Sequence, residues 1–169
     1  AFIASSGSAE RDRDELAGSA DLGSAIEKAL EESSHLIVLC SPPAAQSMWV
    51  NEEVRRFKAM GKADRILCLI LDGEPFASLR GNPDQECLPV ATRRIVNEEG
   101  LITEKPAEPA AADERSGGDG EKSAFLKIVA GLLGVGLDDL RKRDLHARHR
   151  KATLAAVASL ALALGATGL

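Results

Sequence analysis

The chain has 169 residues, room for one domain of ordinary size and an appendage. Only 3% of residues are aromatic and there is no Tyr, so the core must be aliphatic, and Trp49 stands out as the sole Trp. The net charge of −5 hides an acidic body, residues 1–140 with 15 Lys and Arg against 25 Asp and Glu, and a basic tail, residues 141–169 with 6 against 1; such a body lacks the basic face that nucleic-acid binding needs.

The chain begins at Ala1, without Met and inside a short apolar piece, and it ends inside another apolar stretch, which reads as a fragment at both ends. Ser5-Ser6-Gly7-Ser8 has linker composition. Residues 10–20 form a charged loop in which Gly18 can supply a positive φ. From about Asp21 to Glu32, Leu22, Ile26 and Leu30 recur every four residues, which predicts an amphipathic helix; Ser24 and Glu27 would form a capping box if it starts late.

His35 to Cys40 is an unbroken apolar run rich in Ile and Val, the pattern of a strand buried on both faces of a parallel sheet. Ser41-Pro42-Pro43 ends it, and Ser47 is the expected N-cap of the next helix, where its hydroxyl can accept from a free amide. Val50, Val54, Phe57 and Gly61 mark the inward stripe of that helix, with Gly61 at its end. Trp49, Glu53 and Phe57 share a second line along the border of this stripe. A carboxylate there is partly dehydrated and fixed in place, whereas Glu52 points about 100° away, toward water.

Arg65 to Leu71 is a second buried-type strand, ended by Asp72-Gly73-Glu74-Pro75, so the two apolar runs and the helix between them form a right-handed βαβ unit. Residues 76–97 read as an irregular connection, and residues 103–122 as polar and turn-rich with room for one short edge strand. Phe125, Ile128, Val129, Leu132 and Leu133 follow the spacing of a core-facing helix ended by Gly134 or Gly136. Gly131-x-x-Gly134-x-Gly136 follows a helix and not a strand, so it is a helix end and not a dinucleotide fingerprint.

Six basic residues between Arg141 and Lys151 precede Ala152 to Leu169, eighteen residues without a charge. That length is the lower limit for a membrane span, and the positive-inside rule then keeps the acidic body in the cytoplasm. His146 and His149 belong to the basic flank and are not read as metal ligands. Cys40, Cys68 and Cys87 lack C-x-x-C spacing and read as buried free thiols of a reducing compartment.

Arg11 to Pro42 followed by Ser47-Met48-Trp49-Val50-Asn51-Glu52-Glu53 resembles a Toll/interleukin-1 receptor (TIR) domain, particularly the bacterial kind with a membrane helix after the domain. Ala1-Phe2-Ile3 looks like the start of the first family motif, Arg11 to Gly18 like the loop after the second strand, and Trp49 to Glu53 like the W-x-x-x-E motif. The resemblance implies a TIR domain over residues 1–135, a basic juxtamembrane segment at 136–151 and a membrane helix at 152–169. It also implies a flavodoxin-like three-layer α/β fold with a parallel sheet, and for many members hydrolysis or cyclisation of NAD⁺, which is substrate and not cofactor. On this chain the family's essential glutamate falls on Glu53 and the loop acid on Asp12, with Leu16 and Gly18 shaping the loop. Trp49 and Phe2 join these as substrate-binding positions, and no metal is implied.

One departure matters. In the family a helix and a second strand separate the first strand from the charged loop, whereas here Ile3 reaches Arg11 through seven residues, so the first helix and second strand are expected to be missing. Glu10 also stands where an aromatic is usual. The rival expectation is a non-catalytic TIR module that signals through contacts with other TIR domains, and self-association is expected in either case. A receiver domain of the same fold would need an acidic cluster at the first strand and a lysine after the last, and neither is visible.

Overall fold

A computed structural model describes residues 2–4, 19–138 and 140, with side chains described from Gly23 onward except at 139. The chain divides into two compact units, Ala1–Leu132 and Leu133–Leu169, and the first holds the sheet. The expected basic flank from residue 141, His146 and His149 within it, and the expected membrane helix at 152–169 lie outside the described residues. Among the described residues, no helix is long and apolar enough to cross a membrane.

Four strands build a parallel sheet: β1 (Phe2–Ala4), β2 (Leu36–Cys40), β3 (Ile66–Ile70) and β6 (Ala110–Asp113), in the order β1-β2-β3-β6. Phe2 pairs with Leu36, Leu36 with Ile66, and Leu67 with Ala110. Among the described residues β1 is an edge strand, and the segment where the first helix and second strand were expected to be missing lies outside the described residues. The fourth strand, β6, comes from the turn-rich stretch where room for a short edge strand was expected. An antiparallel pair, β4 (Arg94–Val96) with β5 (Ile102–Pro106), stands apart from the sheet.

The helices are α1 (Ser19–Glu32), α2 (Pro42–Gln46), α3 (Met48–Ala59), the single turn α4 (Val90–Arg93) and α5 (Glu121–Leu133). Because α1 begins at Ser19, Ser24 and Glu27 lie inside it and the capping box does not form. The Ser-Pro turn after β2 is itself helical: the Ser41 hydroxyl accepts from the Ala44 N–H at 3.4 Å, and two prolines supply the φ of a first turn. Residues 76–97, expected to be irregular, fold as two 3₁₀ turns followed by α4 and β4.

Strand alternation divides the core between two sheet faces. Leu36, Val38 and Cys40 of β2 and Ile66, Cys68 and Ile70 of β3 meet Leu30 of α1 and Val50, Val54 and Phe57 of α3. The opposite face packs Leu67 and Ala112 against Ala124 and Ile128 of α5. The expectation that β2 is fully buried on both faces fails on this second side. Ile37 and Leu39 are only partly buried there, because they line an open trough of about 600 Å³ beside α5.

The stripe of α5 is also rotated from the one expected. Ala124 and Ile128 are buried, while Phe125 is 65% and Leu133 63% exposed. Gly131 bears on the choice: a Cβ there would come within 2.7 Å of the Leu67 side chain, so the helix approaches the sheet closely at this position. Gly134, at φ +63°, ends the regular helix.

All three cysteines are free and buried, as expected. A hydrogen bond with Cys68 and burial push the Cys40 thiol far up, and burial pushes Cys87 up to about 12, so neither is a ready nucleophile.

Candidate functional site

The candidate site is built on α3. Ser47 caps it, accepting from the Val50 N–H at 3.4 Å, and Met60 with Gly61 (φ +75°) ends it. Val50, Val54 and Phe57 are at most 2% exposed, and burial of such side chains contributes about 1.5–3 kcal/mol each, which holds the helix against the sheet. Since α3 follows β2 through α2, its first turns stand beyond the carboxyl ends of the strands, where open α/β sheets place ligands. The chain leaves β1 at Ala4, on that same edge.

Along the border line, exposure falls from Trp49 at 49% through Glu53 at 7% to Phe57 at 0%. Glu53 is therefore a buried carboxylate flanked by the core, and it is one of three buried polar residues among those described. Its neighbour differs. Glu52 accepts from Arg55 Nε and Nη2 at 2.7 Å each and from Arg56 Nε at 2.7 Å. The Arg55 hydrogen bonds hold its carboxyl down at about 2, with burial pushing the other way and Arg56 adding to the pull. Glu52 is thus committed to two arginines at the helix surface, whereas Glu53 is buried against the core.

Trp49 faces a surface cavity of about 350 Å³ lined also by Met48, Asn51, Glu52, Arg55 and Ile102. The structure therefore places Trp49 and Glu53 one turn apart on one helix line, but this cavity is lined by Trp49 and not by Glu53. Phe2 is described as strand backbone paired with Leu36, without its side chain. Asp12, Leu16 and Gly18 lie outside the described residues. No group of three or more His, Cys, Asp or Glu among the described residues is arranged to hold a metal ion.

Two polar groups, one on α3 and one beyond β3, were not singled out from sequence. Asn51 donates to Ala45 O at 3.0 Å and Ser47 O at 2.9 Å and accepts from Ala91 N–H at 3.0 Å. Its place two residues after the only Trp was the sole available signal. Glu86, 5% exposed, accepts from the N–H groups of Phe76, Ser78 and Leu88 and from the Ser78 hydroxyl, and pairs with Arg93 at 3.3 Å. Burial pushes its carboxyl up, but these hydrogen bonds and Arg93 outweigh that and bring it below the ordinary value. In sequence it was one acid in a turn-rich stretch, indistinguishable from a solvated one.

Residues 1–74 match the family model for the TIR-like domain of the Thoeris protein ThsB. The NAD(+) hydrolase ApTIR of an Actinoplanes species is 32% identical over 168 residues, covering 93% of this chain and 23% of the relative. The chain thus spans about a quarter of the length of that curated relative. No solved structure matches. Residues 1–74 are thus similar to a TIR-like domain, and the parallel α/β sheet fits that fold.

Proposed function

We propose that this chain is a TIR domain that cleaves the bond between nicotinamide and ribose in NAD⁺, with Glu53 as the essential carboxylate, in signalling or defence. The observation that carries the reading is the burial of the Glu53 carboxylate against the core, one helical turn after Trp49 on α3. The likeness to an NAD(+) hydrolase over 93% of the chain supports it.

The chemistry asks little of the protein. As the C1′–N bond breaks, its electron pair returns to the pyridine nitrogen and nicotinamide leaves neutral, so no general acid is needed. Positive charge builds on the ribose, and a fixed carboxylate stabilises it and binds the ribose hydroxyls, the electrostatic half of glycoside hydrolysis. Water then adds to C1′ and releases a proton, giving ADP-ribose; capture by an adenine nitrogen instead would give the cyclic product. Trp49 offers an apolar ring face, and Asp12, Leu16, Gly18 and Phe2 complete the proposed binding set by resemblance. The test is to incubate the protein, concentrated on beads, with NAD⁺. Release of nicotinamide and ADP-ribose supports the reading, and NAD⁺ that stays intact refutes it.

A second reading, a non-catalytic module that binds other TIR domains, is favoured by the exposed Met48 at 71% and half-exposed Trp49 around a groove that Glu53 does not line. Self-association belongs to both readings. The uncharged stretch 152–169 behind its basic flank extends the proposal to a membrane tether with the domain in the cytoplasm. Deletion of 152–169 would then release the protein from sedimented membranes.

A further inference from the structure

The aim of Glu53 depends on how α3 is rotated on the sheet, and the apolar stripe alone fixes that rotation poorly, because burial is non-directional. A second, polar stripe runs one residue on, at Asn51, Arg55 and Lys58, with the same spacing as Val50, Val54 and Phe57. Each of its members bonds to main-chain carbonyl or amide groups of the segment that returns past the helix. Lys58 Nζ donates to Thr92 O at 3.1 Å and Arg94 O at 2.8 Å, and Arg55 Nη1 donates to Gly100 O.

Asn51 differs from the other two in kind. Its amide is planar and sits on a short stem with two torsions, so three simultaneous bonds leave it one orientation. Those bonds reach three separate pieces of main chain: Ala45 in α2, Ser47 at the cap of α3, and Ala91 in α4. Ala91 is fully buried in the core, which makes it a rigid anchor. Asn51 lies two residues from both Trp49 and Glu53, whereas Lys58 lies five residues beyond Glu53, toward the far end of the helix.

We propose that Asn51 is a positioning residue for the reaction at Glu53: its three hydrogen bonds fix the rotation and axial register of the first turns of α3, and so where the Glu53 carboxylate meets the ribose. This rests on the reading of Glu53 as the reacting carboxylate. A misplacement of about 1 Å in a reacting group costs on the order of 10²-fold in rate, so a loosened first turn is felt in turnover before it is felt in binding.

The test measures kcat, KM for NAD⁺ and Tm for the wild type, Glu53→Gln, Asn51→Ala and Lys58→Met. Turnover in the wild type that disappears in Glu53→Gln establishes the premise; a wild type without turnover removes premise and proposal together. With the premise in place, Asn51→Ala should lose kcat by about 10²-fold at a KM changed by no more than about twofold. Lys58→Met should lower Tm while its kcat stays within about twofold of wild type, because it cuts the same stripe away from the site. If Asn51→Ala does not fold, the isosteric Asn51→Asp, which keeps the acceptor for Ala91 and loses both donors, should show the same loss of kcat. An Asn51 variant with wild-type kcat and only a lowered Tm overturns the proposal while leaving Glu53 untouched. Equal kcat losses in Asn51→Ala and Lys58→Met overturn it too, since any loosening of α3 would then suffice.

Discussion

Glu52 and Glu53 stand about 100° apart around α3, and that angle separates their chemistry. Glu52 turns outward to two arginines and gains an ion pair whose side chain is 35% exposed. An exposed pair of this kind contributes about 0.2–1 kcal/mol, so Glu52→Gln should lower stability modestly at neutral pH. Because the folded carboxyl is held at about 2 against an ordinary 4.5, that contribution is complete above about pH 4.5 and is lost as pH falls toward 2. Thermal melts of wild type and Glu52→Gln should differ at pH 7 and converge near pH 2; a difference that stays constant across that window contradicts the pairing. Trp49 and the burial of Glu53 were legible in the sequence from helical spacing alone. Asn51 was not, because a single amide next to a glutamate carries no periodic signal and its three partners are main-chain atoms.

At the scale of elements, β2, β3 and α3 were readable because each has one strong period: continuous apolar runs for the strands, and Val50, Val54 and Phe57 for the helix. The orientation of α5 was not. The expected stripe ran through Phe125, Ile128, Val129, Leu132 and Leu133, and the observed one keeps Ile128 and Leu132 but turns toward Ala124 and Gly131. The fit is close there, because Gly131 admits the Leu67 side chain where a Cβ would not fit. Gly131→Val should therefore cost about 1–3 kcal/mol through overpacking. Denaturant titration checks this. An unchanged midpoint would mean that α5 does not press on Leu67 as described.

For the whole molecule, the segment between β3 and β4 shows why irregular structure escapes a periodic reading. It is held by Glu86, which gathers three amides, a hydroxyl and Arg93 around one buried carboxylate. Glu86→Ala leaves the Arg93 guanidinium, its side chain 12% exposed, without that partner, and should cost about 3–5 kcal/mol, or on the order of 10 °C in Tm. A shift of a degree or two would show that the segment is held by other contacts. The parallel pairing of β2 with β3 was legible from their apolar runs, whereas the expected loss of a first helix and second strand concerns residues that lie outside the described ones. In the proposed function these elements bear on the reaction through Glu53. Nicotinamide release from NAD⁺ should proceed in the wild type and in Glu52→Gln within a few-fold of each other, and fall by about 10²–10³-fold or more in Glu53→Gln. Equal turnover in the two glutamine variants would contradict the assignment of the reaction to Glu53.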